Sequence, residues 1–493
     1  MTDLPRDGVT AAIVAVFERA IAAGELAPGE KLPPTRELAQ LASVNHLTAA
    51  RAYRQLAERG LVVSKVGSGT FVRTTPAVLG KGERVRDSIA WQRYALPDRE
   101  EGYGDRVLAE MMDHVHIDGL LALSAGYPSE RIFPVELIRD LTAEVIRDNT
   151  ARALQYSDVR GIGELAQRVA DLSATRGAPE DPDDIVITSG ATQGVSLAMR
   201  AILEPGDVVA CEDPSFMCVI RAIRAAGAQV MPVPVDRDGL DIDALEALLT
   251  RMEIKAIALQ PRLHNPTGTD LSAERRARLL DLARLHGLFI VEDGVYGELR
   301  MEGEPVPSLR AEAPANVIYA DSLSKTIGGG FRAGWVAASG PVLERIVAEK
   351  RSDDIHSPVL TQLVTASYLA SGAHASQVER ALAHYRRGRD AALEAIDKHL
   401  GQIASYDVPR GGGHVWVRLD SGASEQDLVD EARRQGVAFV PGSAMRSERS
   451  PDLSLRLSFG YLDPPELEEG VRRIGAALRA VSARRPPRAA TPV

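Results

Sequence analysis

The 493-residue chain has only two cysteines, Cys211 and Cys218, and no uninterrupted apolar run approaching twenty residues. Two thiols exclude a disulfide framework and point to a reducing compartment. Neither sits beside a Cys/His cluster, so no metal site is expected. The shortness of the apolar runs argues against a membrane-spanning helix. The start of the chain lacks a basic segment followed by an apolar one, and the expectation is a soluble, cytoplasmic protein with no membrane partner. Positive charge is also scarce: a formal net charge of −10 argues against indiscriminate nucleic-acid binding. The deficit is uneven, because residues 1–75 hold nine Lys/Arg against seven Asp/Glu. The N-terminus is therefore the face suited to nucleic acid. With 45% hydrophobic residues, a chain of this length has material for two or three domains.

Within residues 1–75, Val9, Ile13, Val16, Phe17, Ala20 and Ile21 recur at helical spacing until Gly24. Thr35 is the expected N-cap of a second helix, TRELAQLAS, and Asn45 of a third, HLTAARAYRQLAERG, ending at Gly60. The short join at Ser43 and Val44 has the spacing of a helix-turn-helix. LVVSKV and TFVR then read as two strands meeting at Gly67-Ser68-Gly69, a hairpin wing. In such a unit the third helix enters the major groove and flanking donors hold phosphates. Thr35, Arg36, Thr48, Arg51 and the wing residue Lys65 are the candidates; a packing module with solvated charges is the plainer alternative. Residues 76–106, rich in Gly, Pro and mixed charge, read as a linker, with a short helix possible over Asp87–Ala95 that docks Trp91.

From residue 107 to 480, short apolar runs alternate with helical patterns: DIVITSG, DVVACEDP, KAIALQP, LFIVEDG and NVIYADS are each followed by polar clusters or helices. That alternation predicts an α/β fold with a mostly parallel sheet, with ligands at the carboxyl ends of the strands. Residues 481–493, Pro- and Arg-rich, read as a disordered tail.

The stretch DSLSKTIGGGFRAGW is the chemical centre. Lys325 is flanked by Ser322 and Ser324 and followed by Gly328-Gly329-Gly330 and Arg332. An amine there can condense with an aldehyde, the hydroxyls and guanidinium can hold a phosphate, and glycines allow close approach. Gly190-Ala191-Thr192, where a strand becomes a helix, offers free N–H groups to an anion. Asn265 in HNPTG can donate to a phenolate oxygen, or simply make an Asn-Pro turn. Asp293, ending LFIV, reads as a buried carboxylate in need of a cation; a salt bridge or helix cap is the plainer alternative. Tyr296 lies three residues on.

In the chain order Gly190, Asn265, Asp293, Tyr296, Lys325, Arg332, these residues resemble the fold type I pyridoxal-phosphate enzymes of the aspartate-aminotransferase-like class. The resemblance implies pyridoxal 5′-phosphate as cofactor, Lys325 as the residue forming the internal aldimine, Asp293 on the pyridine nitrogen, and Asn265 with Tyr296 on the ring oxygen. It places Ala191, Thr192, Ser322, Ser324 and Arg332 in a phosphate cup, and Phe216, where Tyr is more usual, stacked on the ring. It further implies that Arg456 grips a substrate carboxylate near Gly126. Tyr156 would reach the neighbour's phosphate, so a homodimer is expected. A smaller C-terminal α/β subdomain completes that fold. The run from Gly24 to Val72 resembles the GntR class of winged-helix repressors, with Asn45-His46 where Ser-Arg is usual, which puts those two residues among the operator contacts. The combination is the layout of the MocR family of transcription regulators. The expected function is a regulator of a double-stranded DNA operator that senses an amino acid, amine or vitamer. The alternative is a working aminotransferase that carries a DNA-binding module.

Overall fold

The structure, a computed structural model, describes residues 9–22, 26, 29–65, 69–73, 102–448 and 450–484. The chain divides into two compact units, residues 1–100 and 101–493. In the first, α1 (Val9–Ala22), α2 (Thr35–Leu41) and α3 (His46–Glu58) precede the strands β1 (Val62–Lys65) and β2 (Gly69–Val72). Helix α3 turns Ala49, Ala52, Tyr53 and Leu56 inward at i, i+3, i+4 and i+7 onto Ile13, Phe17 and Leu38. The Tyr53 hydroxyl donates to Pro33 O (2.6 Å), tying α3 to the entry of α2. β1 and β2 pair antiparallel with Val62 opposite Val72. Their turn residues Gly67 and Ser68 lie outside the described residues.

Thr35 is not the cap predicted from sequence. Pro34 occupies the N-cap position, with no side-chain hydrogen bond, and Thr35 is already helical. The fixed φ of proline starts the helix one residue before the hydroxyl can serve it. Asn45 does cap α3, its Oδ1 accepting from Thr48 N (2.8 Å) and Thr48 Oγ1 (2.9 Å).

The second unit opens with α4 (Tyr103–His114), so its first helix begins inside the stretch assigned to the linker. Val107 and Met111 of α4 are buried against Trp416, Val440 and Met445, which fixes that end of the chain. The rest of the linker, including the short helix expected around Trp91, lies outside the described residues. Next come β3 (Leu121–Ala122), α5 (Val135–Ala153), α6 (Gly163–Thr175), β4 (Ile185–Thr188), α7 (Ala191–Ile202), β5 (Val208–Asp213), α8 (Met217–Ala225), β6 (Gln229–Asp236), β7 (Gly239–Leu240), α9 (Ile242–Leu249), β8 (Ala256–Leu259), α10 (Ala273–His286), β9 (Phe289–Asp293), β10 (Val317–Ser322) and β11 (Gly334–Ala337). They build an eight-stranded sheet in the order β4-β11-β10-β9-β8-β5-β6-β7. Its centre, β10-β9-β8-β5-β6, is parallel, and β11 and β7 run antiparallel to their neighbours.

Alternation along the strands divides the core between two helical layers. Val209, Ala258 and Val291 face a cluster with α7 and α8. Ala210, Ile257 and Ile290 face one with α9 and α10.

α11 (Pro341–Asp353), α12 (Val359–Ala370) and the long α13 (His374–His399) lead to β12 (Ala404–Ser405), β13 (His414–Leu419), α14 (Glu425–Arg434), β14 (Val437–Ala438), β15 (Val440–Pro441), β16 (Ser454–Ser458) and α15 (Pro464–Arg484). Here a four-stranded antiparallel sheet, β12-β13-β16-β15, packs on α13, α14 and α15. The subdomain is not wholly C-terminal: β14 pairs with β3, and Leu123 joins its core. The tail begins later than expected from sequence, because α15 continues to Arg484 with Val481 buried. Residues 485–493 lie outside the described residues. Among the described residues no helix is long and apolar enough to cross a membrane.

Candidate functional site

The carboxyl ends of the central strands open on a cavity of about 1150 Å³. All the candidate cofactor and substrate residues line it except Tyr156. Tyr156 is 78% exposed and stands edge-on to His356 (ring centroids 5.8 Å), away from the cavity of its own chain.

At one end, β4 turns through Ser189 and Gly190 into α7. Gly190 has φ +96, and a Cβ there would lie 2.6 Å from Arg332 Nη2, so side chain and conformation both demand glycine. Arg332, itself left-handed at φ 53, donates through Nη1 to Gly329 O (3.2 Å) and through Nη2 to Ser189 O. This sets a guanidinium beside the N-terminus of α7, whose first N–H groups have no partner within the helix. Ser322 and Ser324 stand at the end of β10, with Ser322 Oγ accepting from Ser324 N (3.4 Å). The result is an anion cradle of backbone donors, hydroxyls and one cation.

Lys325 ends a single helical turn after β10. Its Nζ donates to Gly126 O (2.7 Å) and lies 5.5 Å from the Tyr296 ring centroid. Burial, helped by the Arg456 guanidinium, lowers its pKa to about 8. At the end of β9 the pleat sends two consecutive acids to opposite faces. Glu292 meets Arg262 at 3.2 Å on one side. On the other, Asp293 lines the cavity, and burial raises its pKa to about 7 although Lys325 favours the ionised form.

The far wall comes from the smaller sheet. In β13 and β16 the odd-numbered residues Val415, Val417, Leu455 and Leu457 face the helices. The even-numbered ones point the other way, which sends His414 and Arg456 to the cavity. Arg456 is 1% exposed. Its Nη1 donates to Asn265 Oδ1 (3.2 Å) and its Nη2 to Ser124 O (2.8 Å), with Met111 Sδ at 3.5 Å. Its Nε is buried with no partner, and burial pulls the guanidinium down to about 10. Asn265 is held by its own N–H on Gln260 Oε1 (2.8 Å). Phe216, half-buried, stands at the N-cap of α8.

His414 is a site residue that the sequence does not single out. It is buried with Nε2 2.7 Å from the Tyr296 hydroxyl and Nδ1 3.0 Å from Ser458 Oγ, its register partner across the sheet. Burial and the two nearby cations, Arg456 and Lys325, hold it well below the usual histidine range, so it is neutral. The signal in the sequence is the triple glycine Gly411-Gly412-Gly413 before it. A Cβ on Gly411 would lie 2.2 Å from Leu299 O, so the backbone leading into β13 packs too closely there for any other residue. Met111 and the rest of the α4 face have no local signal, since they fall at a predicted domain boundary.

In the first unit, Arg36, His46 and Arg51 are exposed, and Thr35 and Thr48 half-buried. Asn45 and Thr48 are bonded to each other, so the Asn45 carbonyl oxygen serves the helix. Leu47, 71% exposed at the start of α3, is not among the contacts predicted from sequence. The Lys65 side chain lies outside what is described.

The cavity suits pyridoxal 5′-phosphate. A buried amine lowered to about 8 shares the cavity with a buried carboxylate that makes no salt bridge among the described residues, and the anion cradle leaves no room for a side chain at Gly190.

Residues 120–474 match the family described as aminotransferase class I and II, and residues 10–72 match the gntR family of bacterial regulatory proteins. The alpha-aminoadipate aminotransferase LysN of Thermus thermophilus, crystallised with N-(5'-phosphopyridoxyl)-L-leucine, is 32% identical. It superposes with a TM-score of 0.73 over 80% of this chain and 99% of its own. The uncharacterized HTH-type transcriptional regulator YdfD of Bacillus subtilis (strain 168) is 29% identical over 96% of each chain. MocR of Rhizobium meliloti, a probable rhizopine catabolism regulatory protein, is 26% identical over 94% of this chain and 92% of its own. The chain belongs to the aminotransferase class I and II family, with pyridoxal 5′-phosphate as its cofactor and a gntR-family domain at its N-terminus, the two-part layout of the MocR-type regulators.

Proposed function

We propose that the protein is a DNA-binding transcription regulator whose aminotransferase-like unit senses an amino acid, an amine or a pyridoxal vitamer. One observation carries the reading: Lys325, Asp293 and Arg456 line one cavity in a chain that also exposes Arg36, His46 and Arg51 on a helix-turn-helix. Bound pyridoxal phosphate supplies an aldehyde that condenses with amines and a ring that withdraws electrons from them. In this reading Lys325 holds the cofactor through its amine and carries protons at Nζ. Asp293 gives the ring nitrogen its counter-charge. Asn265 and Tyr296 meet the ring oxygen, with neutral His414 orienting the Tyr296 hydroxyl. Ala191, Thr192, Ser322, Ser324 and Arg332 hold the phosphate, and Phe216 covers a ring face. Arg456 takes a ligand carboxylate as a two-pronged donor, and Gly126 leaves room for it.

On the DNA side, α3 enters the major groove with His46 and Arg51 toward base edges, while Arg36, Thr35 and Lys65 meet phosphates. The working unit is a homodimer, because Tyr156 is exposed and outside its own cavity, as a residue lent to a neighbour would be.

The test is a titration of the full-length, cofactor-loaded protein with amino acids, reading the absorbance of bound cofactor and operator affinity together. A spectral change accompanied by a shift in operator affinity is expected. Repeated turnover with a keto-acid acceptor, and no effect on DNA, would establish the aminotransferase alternative instead.

A further inference from the structure

We infer that the ligand sensed in this cavity is an α-amino acid with a bulky, uncharged side chain, seated against α4. The inference rests on the regulator reading and narrows its ligand to one class. It begins at Arg456. One of its Nη2 contacts is the Met111 sulfur at 3.5 Å, a weak acceptor, and its Nε has no partner. A carboxylate satisfies both donors better than a thioether does, so the α-carboxylate end of the ligand has a built receptor.

Outward from Arg456 runs the face of α4. Leu108, Met111, Met112 and Val115 recur at i, i+3, i+4 and i+7, and all four line the cavity. Met111 also packs in the core beneath α4, but Leu108 is only half-buried and Met112 is 54% exposed, so part of the stripe is left to face the cavity. Two thioethers make the wall apolar and adaptable in shape, suited to branched or aromatic chains alike.

The charges lining the cavity agree. Arg332 is engaged at the N-terminus of α7, and Arg131 is paired with Asp463. Glu130 and Glu466 are the further acids of that outer rim. Along this wall a second carboxylate on the ligand would meet thioethers and acids; of the described basic lining residues outside those pairings, His116 stands exposed just past the end of α4, so the arrangement is a costly one for a dicarboxylic ligand. A cationic end group would lose hydration against the same apolar wall, and Glu130 and Glu466, both solvent-exposed, return little for it.

The test compares leucine, methionine and phenylalanine with aspartate, glutamate, 2-aminoadipate and lysine on the cofactor-loaded full chain. Half-saturation is read from cofactor absorbance, from operator affinity and from the shift in Tm. The uncharged amino acids should saturate at concentrations on the order of 10-fold lower or more. Met112→Arg, which adds a cation to the exposed part of the wall, should shift the preference toward glutamate. Tighter binding of a dicarboxylic amino acid or of lysine by the unaltered protein overturns the inference and leaves the sensor reading in place. If no amino acid of any class changes the spectrum or the operator affinity, the inference falls, and the sensor reading keeps only an amine or a vitamer as its ligand.

Discussion

Lys325 and Asp293 are displaced from their ordinary titration ranges in opposite directions by the same burial, and both displacements can be measured. With its pKa lowered to about 8, the Lys325 amine gains its neutral, nucleophilic form as pH rises through that value. The rate at which cofactor-free protein captures pyridoxal phosphate should therefore increase about tenfold from pH 7 to well above 8 and then level off, as followed by stopped-flow absorbance. Asp293 titrates near 7, above its unfolded value of 3.8, so the folded state holds this proton more tightly. That contribution is full below pH 4 and is lost as pH rises toward 7. Asp293→Asn should consequently raise the Tm of the cofactor-free protein by ~2–4 °C at pH 7.5, with no gain near pH 4. It should at the same time weaken cofactor binding ~10-fold or more, since the ring nitrogen loses its counter-charge.

At the scale of elements, the site is a set of strand ends, and that is why much of it is legible in the sequence. Asn265, Asp293, Ser322 and Lys325 each follow a buried strand, where an apolar run stops at a polar cluster that the chain has no other reason to place there. The anion cradle depends on one more element boundary, and it is testable there. Gly190→Ala introduces a Cβ into the space of the Arg332 guanidinium at a φ of +96, so phosphate-dependent cofactor affinity should fall ~10-fold or more and the unit lose ~1–3 kcal/mol by thermal denaturation. Other parts are hidden because they arise from pairing between distant strands. His414 matters only because β13 lies beside β16, which sets it opposite Ser458 and within reach of Tyr296. Apart from its glycines, nothing near His414 in the chain announces that. The Thr35 cap fails for a local reason, since Pro34 takes the N-cap position and Thr35 is already the first helical residue. The last turn of α15 is indistinct from the tail in sequence because Val481 contributes to a core that only the folded helix brings to it.

At the scale of the whole molecule, the proposed homodimer makes the most direct prediction. Tyr156 and Lys325 belong to one site but, in the proposed dimer, to different chains. Tyr156→Phe should weaken cofactor binding ~3–10-fold, one hydrogen bond to phosphate being lost. Mixed with an excess of Lys325→Ala protein, each Tyr156→Phe chain should regain normal affinity at the site of its own lysine, one of the two sites in the mixed dimer, because that lysine would then be served by an intact tyrosine. Titration of cofactor fluorescence in the mixture measures this, and no recovery would argue for a tyrosine acting within its own chain.

Helix α4 has a place in the chain that bears on how such a protein diversifies. It is the first described helix after the segment from the winged helix, and its inner face lines the cavity beside Arg456. The inferred specificity wall is thus one short cassette, residues 103–115, at the start of the second unit. Exchanging that cassette would change what is sensed without rewriting the DNA-reading unit or the cofactor cradle.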